Sequence, residues 1–255
     1  MLPRNIKFHI FLWIIIIISF VFLATFLIFK ASGYTINLKA KIIEKSALIV
    51  VGSSPDKVDV YLNDELQGQT PLEIPYLHAG LYRIKITKDN YHFWEKTFNI
   101  EAGKYETIDA VLFLSNPQIQ PSDENEYKDK VETKEVQLAD EIMQKIPKGA
   151  QDVTISASQD IILYKIGLEI WQYENEKDGN AAIVARFMQD IKNLKFYPDN
   201  KHILFMMDTD LYVMDVDGTN CIKLFTLSSE DFWPSRDGNE IYFQKDGLYQ
   251  KAIIR

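Results

Sequence analysis

The feature that most restricts the fold of this chain is an uninterrupted apolar run near its N-terminus. Residues Phe8 to Phe29 contain no Asp, Glu, Lys or Arg and consist almost entirely of Ile, Phe, Leu and Val. A helix rises about 1.5 Å per residue, so this run covers roughly 33 Å, enough to cross a hydrocarbon core about 30 Å thick. In lipid, only a continuously hydrogen-bonded helix satisfies such a backbone. Residues 1–30 are therefore predicted to be a short tail and a transmembrane anchor.

A cleaved signal peptide is the alternative interpretation of the same run. The apolar core of a signal peptide has about 7–15 residues and ends in a small-residue cleavage site. The run here is longer, and it ends in Phe29-Lys30-Ala31-Ser32, where Lys30 disfavours cleavage. The sequence favours an uncleaved anchor over a signal peptide, and the length makes a buried core helix untenable.

The flanking charges do not by themselves orient the helix. Arg4 and Lys7 precede it, whereas Lys30, Lys39 and Lys41 follow within the distance that influences topology. The short N-terminal tail and the long C-terminal portion favour a cytoplasmic N-terminus with the C-terminal domains outside. We therefore expect a single-pass protein of the cell membrane.

Composition restricts the classes of partner and of covalent framework. Removing Arg4, Lys7 and Lys30 from the 28 basic residues leaves 25 against 36 acidic residues, a net charge of −11 beyond the anchor. Nucleic-acid binding is not expected, because it requires a basic surface that displaces counterions. The single cysteine, Cys221, cannot form an internal disulfide, and four histidines are few for a zinc site.

Residues 46–114 alternate short β-prone runs with turn segments and contain no helical pattern. Their Gly, Pro, Asn and Asp residues supply turn geometries between the runs. Val58, Val60 and Leu62 alternate with polar residues, which indicates one buried and one solvated face. An antiparallel β-sandwich is predicted. The predicted strands are Ala47–Val51, Val58–Leu62, Tyr82–Thr87, Trp94–Ile100 and Thr107–Phe113.

This segment resembles the PEGA domain, a small immunoglobulin-like β module of surface and membrane-anchored prokaryotic proteins. The namesake tetrad departs from the family pattern, because Pro55-Asp56-Lys57-Val58 has no glycine. The resemblance implies an association with the cell surface and assigns no catalytic residue. It rests, in chain order, on the strand ending at Val51, the Pro55 turn, Val58–Asp64, Gly68–Leu72, Ala79–Ile84, Tyr91 and Ala102-Gly103.

Residues 115–150 are predicted to be a charged linker with one short helix. Ser115–Lys134 is rich in Asp, Glu, Lys, Asn and Gln, so it is expected to be extended or disordered. Glu135–Ile146 has apolar residues at helical spacing before Pro147 and Gly149. This amphipathic helix is expected to pack on the following domain, and binding a separate partner is the alternative. Its apolar positions are Val136, Ala139, Ile142 or Met143, and Ile146.

Residues 151–255 contain an internal repeat with a period near 40 residues. Short strands repeated at this period are typical of β-propeller blades. A second apolar–aromatic pair follows each copy of the first motif, at Ile170-Trp171, Leu211-Tyr212 and Leu248-Tyr249. The first motif is Ile162-Leu163-Tyr164, Ile203-Leu204-Phe205 and Ile241-Tyr242-Phe243, at offsets of 41 and 38.

The second repeat, residues 191–227, resembles the TolB-type propeller repeat of the WD-like group. The resemblance rests on the Tyr197–Asn200 turn, an apolar strand with Phe205, the strand Leu211–Asp215 and the Asp217-Gly218 turn. Residues 232–252 match this pattern in part, and 153–187 departs at Ser158-Gln159-Asp160. The predicted strands of the second repeat are Ile191–Tyr197, His202–Met207, Asp210–Val216 and Cys221–Leu227.

The strand count predicts an incomplete ring. The repeats supply four, four and three strands, whereas a closed propeller usually has about four to eight blades. Open blade edges can pair with other chains, so a homo-oligomer is possible. The sequence stops at Ile253-Ile254-Arg255, where an outer strand is expected. We favour a piece of a longer chain, then closure between chains, then a small sheet stack protected in another way.

Motifs of known chemistry are missing from the sequence, which contains no G-x-S-x-G elbow, Walker loop, His-Glu-x-x-His or paired-cysteine motif. Asp215, Asp217 and Asn220 surround Gly218 as in a calcium loop. Such a loop requires a closing Glu, and Thr226 occupies that position. A turn between strands is therefore expected.

The remaining candidate side chains have ordinary structural interpretations. Tyr91, Phe93 and Trp94 could stack on sugars, but aromatic residues in strands usually belong to the core. His202 is expected to be exposed or half-buried without a catalytic role, and Cys221 to be a small buried apolar residue. No catalytic, cofactor or metal residue is predicted.

Two functional hypotheses remain. The first is a membrane-anchored, non-enzymatic envelope protein whose β modules contact proteins or cell-wall polymer. The second is an anchored enzyme or sensor whose catalytic or signalling domain lies beyond residue 255.

Overall fold

The computed structural model describes residues 4–37, 41–131, 144–174, 179–227, 229 and 231–255. Helix α1, Arg4–Ala31, contains the apolar run, as predicted. Within the described ranges it is the one helix long and apolar enough to cross a membrane, over Phe8–Ala31, with mean hydropathy 3.0 and no part buried. Its length and composition suit either a membrane anchor or a signal sequence.

A two-stranded antiparallel hairpin that was not predicted follows α1. Strands β1, Tyr34–Asn37, and β2, Ile42–Lys45, pair with Ile36 opposite Ile43. Each strand has four residues, and an alternation of apolar and polar residues over so short a segment does not distinguish a strand from other structures.

The predicted β-sandwich region folds into two sheets, with strand orders β6-β3-β9 and β5-β4-β7-β8. The prediction of purely antiparallel sheets is wrong for β3 and β9, which run in the same direction: the Leu48 N–H donates to the Lys104 carbonyl, and Gly52 lies beside Ile108. All five predicted strands occur. The two missed strands, β5 and β6, contain polar residues and a proline. Val58, Val60 and Leu62 are buried, as their alternation predicted. The strands are β3 Ala47–Ser54, β4 Asp59–Leu62, β5 Glu65–Gln69, β6 Leu72–Leu77, β7 Gly80–Thr87, β8 Trp94–Ile100 and β9 Tyr105–Val111.

The C-terminal repeats form three four-stranded antiparallel sheets in the described part of the chain, with orders β11-β12-β13-β14, β15-β16-β17-β18 and β10-β21-β20-β19. The first repeat motif lies in the second strand of each repeat, namely β12, β16 and β20. The strands are β10 Gln118–Pro121, β11 Gln151–Ile155, β12 Ile161–Ile166, β13 Glu169–Glu174, β14 Ala181–Arg186, β15 Ile191–Phe196, β16 His202–Met207, β17 Asp210–Asp215, β18 Ile222–Thr226, β19 Phe232–Pro234, β20 Glu240–Lys245 and β21 Leu248–Ile253.

The third sheet corrects the predicted linker. Residues 118–121 form β10, which pairs antiparallel with β21 and supplies the outer strand that the third repeat lacked. Helix α2, Glu124–Lys130, follows, and the Asp123 side chain caps it by accepting from the Glu126 N–H at 2.8 Å. The expected extended conformation occurs in β10, whereas residues 124–130 are helical and not disordered, because the segment pairs with specific groups of the third sheet even though its apolar content is low.

The predicted helix Glu135–Ile146 lies mostly outside the described residues, including Val136, Ala139, Ile142 and Met143. Residues 144–146 form a turn and a bend. Ile146 is buried in a cluster with Ile155, Ile162 and Tyr164. This one position therefore packs on the first C-terminal sheet, as expected for the helix.

The chain divides into two compact units: unit 1 is Met1–Lys85 with Thr97–Ala110, and unit 2 is Ile86–Lys96 with Val111–Arg255. In unit 2, β16 is buried on both faces. Ile203 and Phe205 join a core cluster with Leu163 of the first C-terminal sheet. Leu204 joins a different cluster with Ile241 of the third. The continuous apolar run of β16 follows from this double burial, because a strand covered on both faces needs no polar alternation.

Candidate functional site

One polar network in unit 2 is the His202 cluster, which we define as Trp94, Asp199, His202, Asp215 and Asn220. His202 begins β16 and lies directly opposite Asp215, the last residue of β17. Asp199 belongs to the turn before β16, where its Oδ1 accepts the backbone N–H groups of Lys201 and His202 at 2.8 and 3.0 Å. Strand register and turn geometry thus place two carboxyls beside one imidazole.

His202 is held between these carboxylates. Its Nδ1 lies 2.6 Å from Asp199 Oδ2, and its Nε2 lies 3.1 Å from Asp215 Oδ1. The residue is only 4% exposed, so the expectation of an exposed or half-buried histidine is wrong. A single strand pattern could not reveal this, because one of the rings packed against His202 is that of Phe113, which is distant in sequence, with ring centroids 5.5 Å apart.

The carboxylates decide the charge of the imidazole. Burial lowers the pKa of His202, but the hydrogen bonds to Asp199 and Asp215 outweigh it and raise the pKa to about 9. For Asp199, burial opposes ionisation, and the hydrogen bond from His202 nevertheless holds the pKa of this carboxyl below its usual value. At neutral pH His202 is therefore a cation between two anions.

The second oxygen of Asp215 organises the rest of the cluster. Asp215 Oδ2 accepts from Trp94 Nε1 at 3.0 Å and from Asn220 Nδ2 at 2.9 Å. Asn220 Oδ1 in turn accepts the Glu95 backbone N–H at 3.0 Å. Nearby, Lys96 Nζ lies 2.6 Å from Asp217 Oδ2. The side-chain oxygens of Asp215, Asp217 and Asn220, which were considered as calcium ligands, thus accept hydrogen bonds or ion pairs from protein groups.

The structure separates the three aromatic residues considered as a sugar platform. Trp94 is 8% exposed and points its indole N–H at Asp215, whereas Phe93 is 56% exposed. Tyr91 is half-buried and pairs with Leu114 in an isolated β-bridge. Because Trp94 is buried and Phe93 is exposed, these rings do not form one stacking surface.

A cleft beside the cluster is lined by His92, Trp94, Phe113 and Asn220, among others. Its interior has room for roughly one water molecule, whereas sites for small organic ligands occupy about 300–1,000 Å³. Burial lowers the pKa of His92, whereas the pKa of His202, which lines the same cleft, is raised.

The chemistry of the cluster is that of a buried ion-pair network. A histidine that remains protonated near neutral pH is a poor general base, because both ring nitrogens already donate to carboxylates. Cys221 is exposed, contrary to the expectation of a buried apolar residue, because it precedes β18 in an open turn. Across the described ranges, no group of three or more His, Cys, Asp or Glu is arranged to hold a metal ion.

Sequence reasoning missed this cluster, although one signal was available. The predicted strands starting at His202 and Asp210 are separated by two residues, and a two-residue hairpin fixes the pairing register. That register alone places His202 opposite Asp215.

With the fold described, comparison with known families decides the identity of the first β module. Residues 46–116 match the PEGA domain. The predicted PEGA resemblance over 46–114 is thereby confirmed. The matched range covers β3 and β4 of unit 1, whose buried residues alternate with more exposed ones. It also covers Trp94 and Phe113, which belong to unit 2.

The other comparisons add little to the PEGA match. No curated protein matches the chain significantly in sequence. Among solved structures, the TIE protein of Bacillus anthracis is similar at 7% identity with a TM-score of 0.24, over 72% of this chain and 32% of that one. The chain thus spans about a third of the length of that protein, and so weak a likeness carries no inference about function.

Proposed function

We propose that the protein is a membrane-anchored, non-enzymatic component of the cell envelope, whose β modules provide contact surfaces for proteins or cell-wall polymer. The observation that carries the proposal is the combination of the exposed apolar helix α1 with the PEGA match at residues 46–116. The described residues after α1 lie mainly in β-sheets.

The non-enzymatic part of the proposal rests on the His202 cluster. The candidate acid–base residues are engaged with one another, and His202 is held as a cation with a pKa of about 9. The adjoining cleft has room for roughly one water molecule. These features fit a structural network better than a site that must admit and release a substrate.

We further propose that the C-terminal sheets are propeller-type blades of the TolB-like group. Each repeat forms one meander, and the sheets pack in sequence through the two faces of β16. The pairing of β10 with β21 gives the third sheet its fourth strand. This arrangement favours blade-like stacking, in which each sheet is covered by its neighbours.

The proposed topology has a cytoplasmic N-terminus and extracytoplasmic β modules. It is tested by adding protease to intact cells that express the full chain with an N-terminal tag. Loss of residues 31–255 with protection of the tag supports it, and complete protection of the β modules contradicts it.

The proposed activity is tested with the detergent-solubilised full chain and isolated envelope fractions. Saturable binding without chemical turnover is expected. Hydrolysis of any envelope material that a single substitution such as His202→Gln abolishes, while folding is retained, would overturn the non-enzymatic assignment.

A further inference from the structure

An outward-facing apolar surface lies immediately after α1, entirely within unit 1. We call it the exit surface and define it as Tyr34, Ile36, Ile43 and Tyr76. Ile36 and Ile43 are 53% and 63% exposed and face each other across β1 and β2. Tyr76 is also exposed. Transfer of exposed isoleucine side chains from water to an apolar environment is favourable, so contact with an apolar partner would stabilise this surface.

The exit surface is tied firmly to the helix. The Ser32 and Gly33 backbone N–H groups donate to the carbonyls of Ile28 and Lys30 at 2.9 and 3.0 Å, which continue the last helical turn. The Ser46 N–H donates to the Gly33 carbonyl at 2.7 Å. The Tyr34 ring stacks on Phe29 with centroids 5.7 Å apart. The hairpin is thus fixed to the end of α1.

The orientation of the hairpin is fixed by its opposite face. Residues directly across an antiparallel pair share a face, so Tyr34, Ile36 and Ile43 lie together, while Thr35 and Glu44 lie on the other side. Thr35 is buried, and Glu44 Oε1 contacts His78 Nδ1 at 2.9 Å. The hairpin therefore contacts unit 1 through Thr35 and Glu44 and presents Ile36 and Ile43 on its opposite face, while Ile42, on the Glu44 side, is 50% exposed.

The charges around the exit surface differ in sign from those of the rest of the chain. Lys30 Nζ lies 5.3 Å from the centre of the Tyr76 ring, and Lys41 and Lys45 are exposed on or beside β2. Glu44 is the only acidic residue between Ala31 and Lys45 in a chain whose net charge is −8. Lysine and tyrosine around an apolar patch are the residue types found at membrane interfaces.

The short connection sets the depth of this surface. Two residues, Ser32 and Gly33, separate Ala31 from Tyr34, and an extended chain covers at most about 3.6 Å per residue, so Tyr34 begins within roughly 11 Å of the helix end. The polar layer of a bilayer adds about 5–7 Å on each side of the hydrocarbon core. If α1 spans the bilayer, the start of the hairpin at Tyr34 therefore lies in the headgroup region or directly beside it.

We infer that the exit surface is a lipid-binding face, which inserts Ile36 and Ile43 among the headgroups and draws anionic lipid to Lys30, Lys41 and Lys45. The inference rests on the proposed membrane anchoring of α1. It assigns the hairpin a function that α1 alone does not have: holding the first β module in a fixed orientation on the membrane.

The test uses the full chain in vesicles of phosphatidylcholine with or without phosphatidylglycerol. In a Cys221→Ser background, which removes the exposed native thiol, single cysteines at Ile36 and Ile43 are labelled with nitrobenzoxadiazole. The matched control is Leu66→Cys, on an aliphatic residue 58% exposed on β5. Quenching by lipids with nitroxides near the headgroup is expected to be several-fold stronger at positions 36 and 43 than at 66, and stronger with phosphatidylglycerol.

Vesicle flotation separates failure of the inference from failure of the anchor. If the chain floats with the vesicles but positions 36 and 43 are quenched no more than 66, the lipid-binding face is wrong and the anchor stands. If the chain does not float, both are wrong. Efficient cross-linking of Ile43→Cys between copies, without lipid quenching, would assign the surface to self-association and also overturn the inference.

Discussion

His202 illustrates how a charge is accommodated in an apolar β core. Burying an unpaired cation costs several kcal/mol, and the two carboxylates offset that cost only while the imidazole stays protonated. The pKa of His202 is raised to about 9 from its ordinary value of 6.5. This network therefore stabilises the fold fully below pH 6.5, and its contribution is lost as the pH rises towards 9.

We predict that the free energy of unfolding of the wild-type chain falls by about 3 kcal/mol between pH 6.5 and 9, as the pKa of His202 implies. His202→Gln leaves Asp199 and Asp215 facing each other without a cation, so it lowers stability near pH 7 by about 3 kcal/mol and abolishes the alkaline decline. Urea unfolding in detergent, followed by tryptophan fluorescence, measures both effects.

The matched control is His78→Gln, because His78 is half-exposed and, among the described residues, the structure places its ring beside a single carboxylate, that of Glu44. This variant is expected to keep the alkaline decline of the wild type. A wild-type unfolding free energy that is constant from pH 6.5 to 9 would show that the imidazole is not held as a cation.

Gly218 provides a second prediction at the scale of one residue. It has a φ of 85°, and a Cβ would lie 2.2 Å from the Val184 carbonyl oxygen, where the β17–β18 turn meets β14. Gly247 has a φ of 78° but nothing within 4 Å. Gly218→Ala should therefore destabilise by about 3 kcal/mol through strain and a backbone clash, and Gly247→Ala by only about 1 kcal/mol. Equal thermal shifts for the two variants would contradict the close approach.

Among the secondary-structure elements, β10 and α2 show how a polar segment becomes ordered. The Tyr127 ring on α2 stacks on Tyr249 at 5.1 Å and meets Trp233 edge-on at 5.4 Å. Glu126 binds Lys251, and this contact is the main reason that the pKa of Glu126 is lowered. One aromatic ring and one ion pair thus fix a segment of low apolar content.

The order of this segment is predicted to be visible in hydrogen exchange. Amides of β10 and α2 should exchange slowly in the full chain in detergent. Tyr127→Ala should destabilise the third sheet by about 2 kcal/mol, because a partly buried ring is removed, and should speed exchange in β21 more than in β11. Asn125→Ala, at an exposed site on the same helix, is the control and should change nothing. Fast amide exchange of residues 118–130 in the wild type would contradict the ordered β10 and α2 and support a disordered linker.

Sequence reasoning succeeded where the pattern is local and failed where the partner is distant. The alternation of Val58, Val60 and Leu62 and the repeat motif of β16 found buried strands, because the periodicity is carried by adjacent residues. The pairing of Gln118 with Ile253 could not be found in this way, since two short segments far apart in sequence carry no shared periodicity. The burial of His202 has the same cause, because Phe113, which packs on its ring, is distant in sequence.

For the molecule as a whole, the exposed helix α1 determines where the chain can reside. Arginine at the centre of a membrane helix costs about 2.5–3.5 kcal/mol per residue in insertion. We predict that Ile16→Arg with Ile18→Arg moves the chain from the alkaline-carbonate-resistant membrane fraction to the soluble or degraded fraction. Ile16→Leu with Ile18→Leu should leave it in the membrane, and a double-arginine chain that remains carbonate-resistant would contradict membrane spanning.

The pairing of β10 with β21 also means that β10 cannot complete its pairing until the end of the chain has been synthesised. When β10 leaves the ribosome, its partner has not yet been made, because Gln120 pairs with Lys251. At roughly 5–20 residues per second, β10 waits on the order of ten seconds. The second sheet is complete when Thr226 has been made, and its Leu204 face stays uncovered until Ile241 of the third sheet follows.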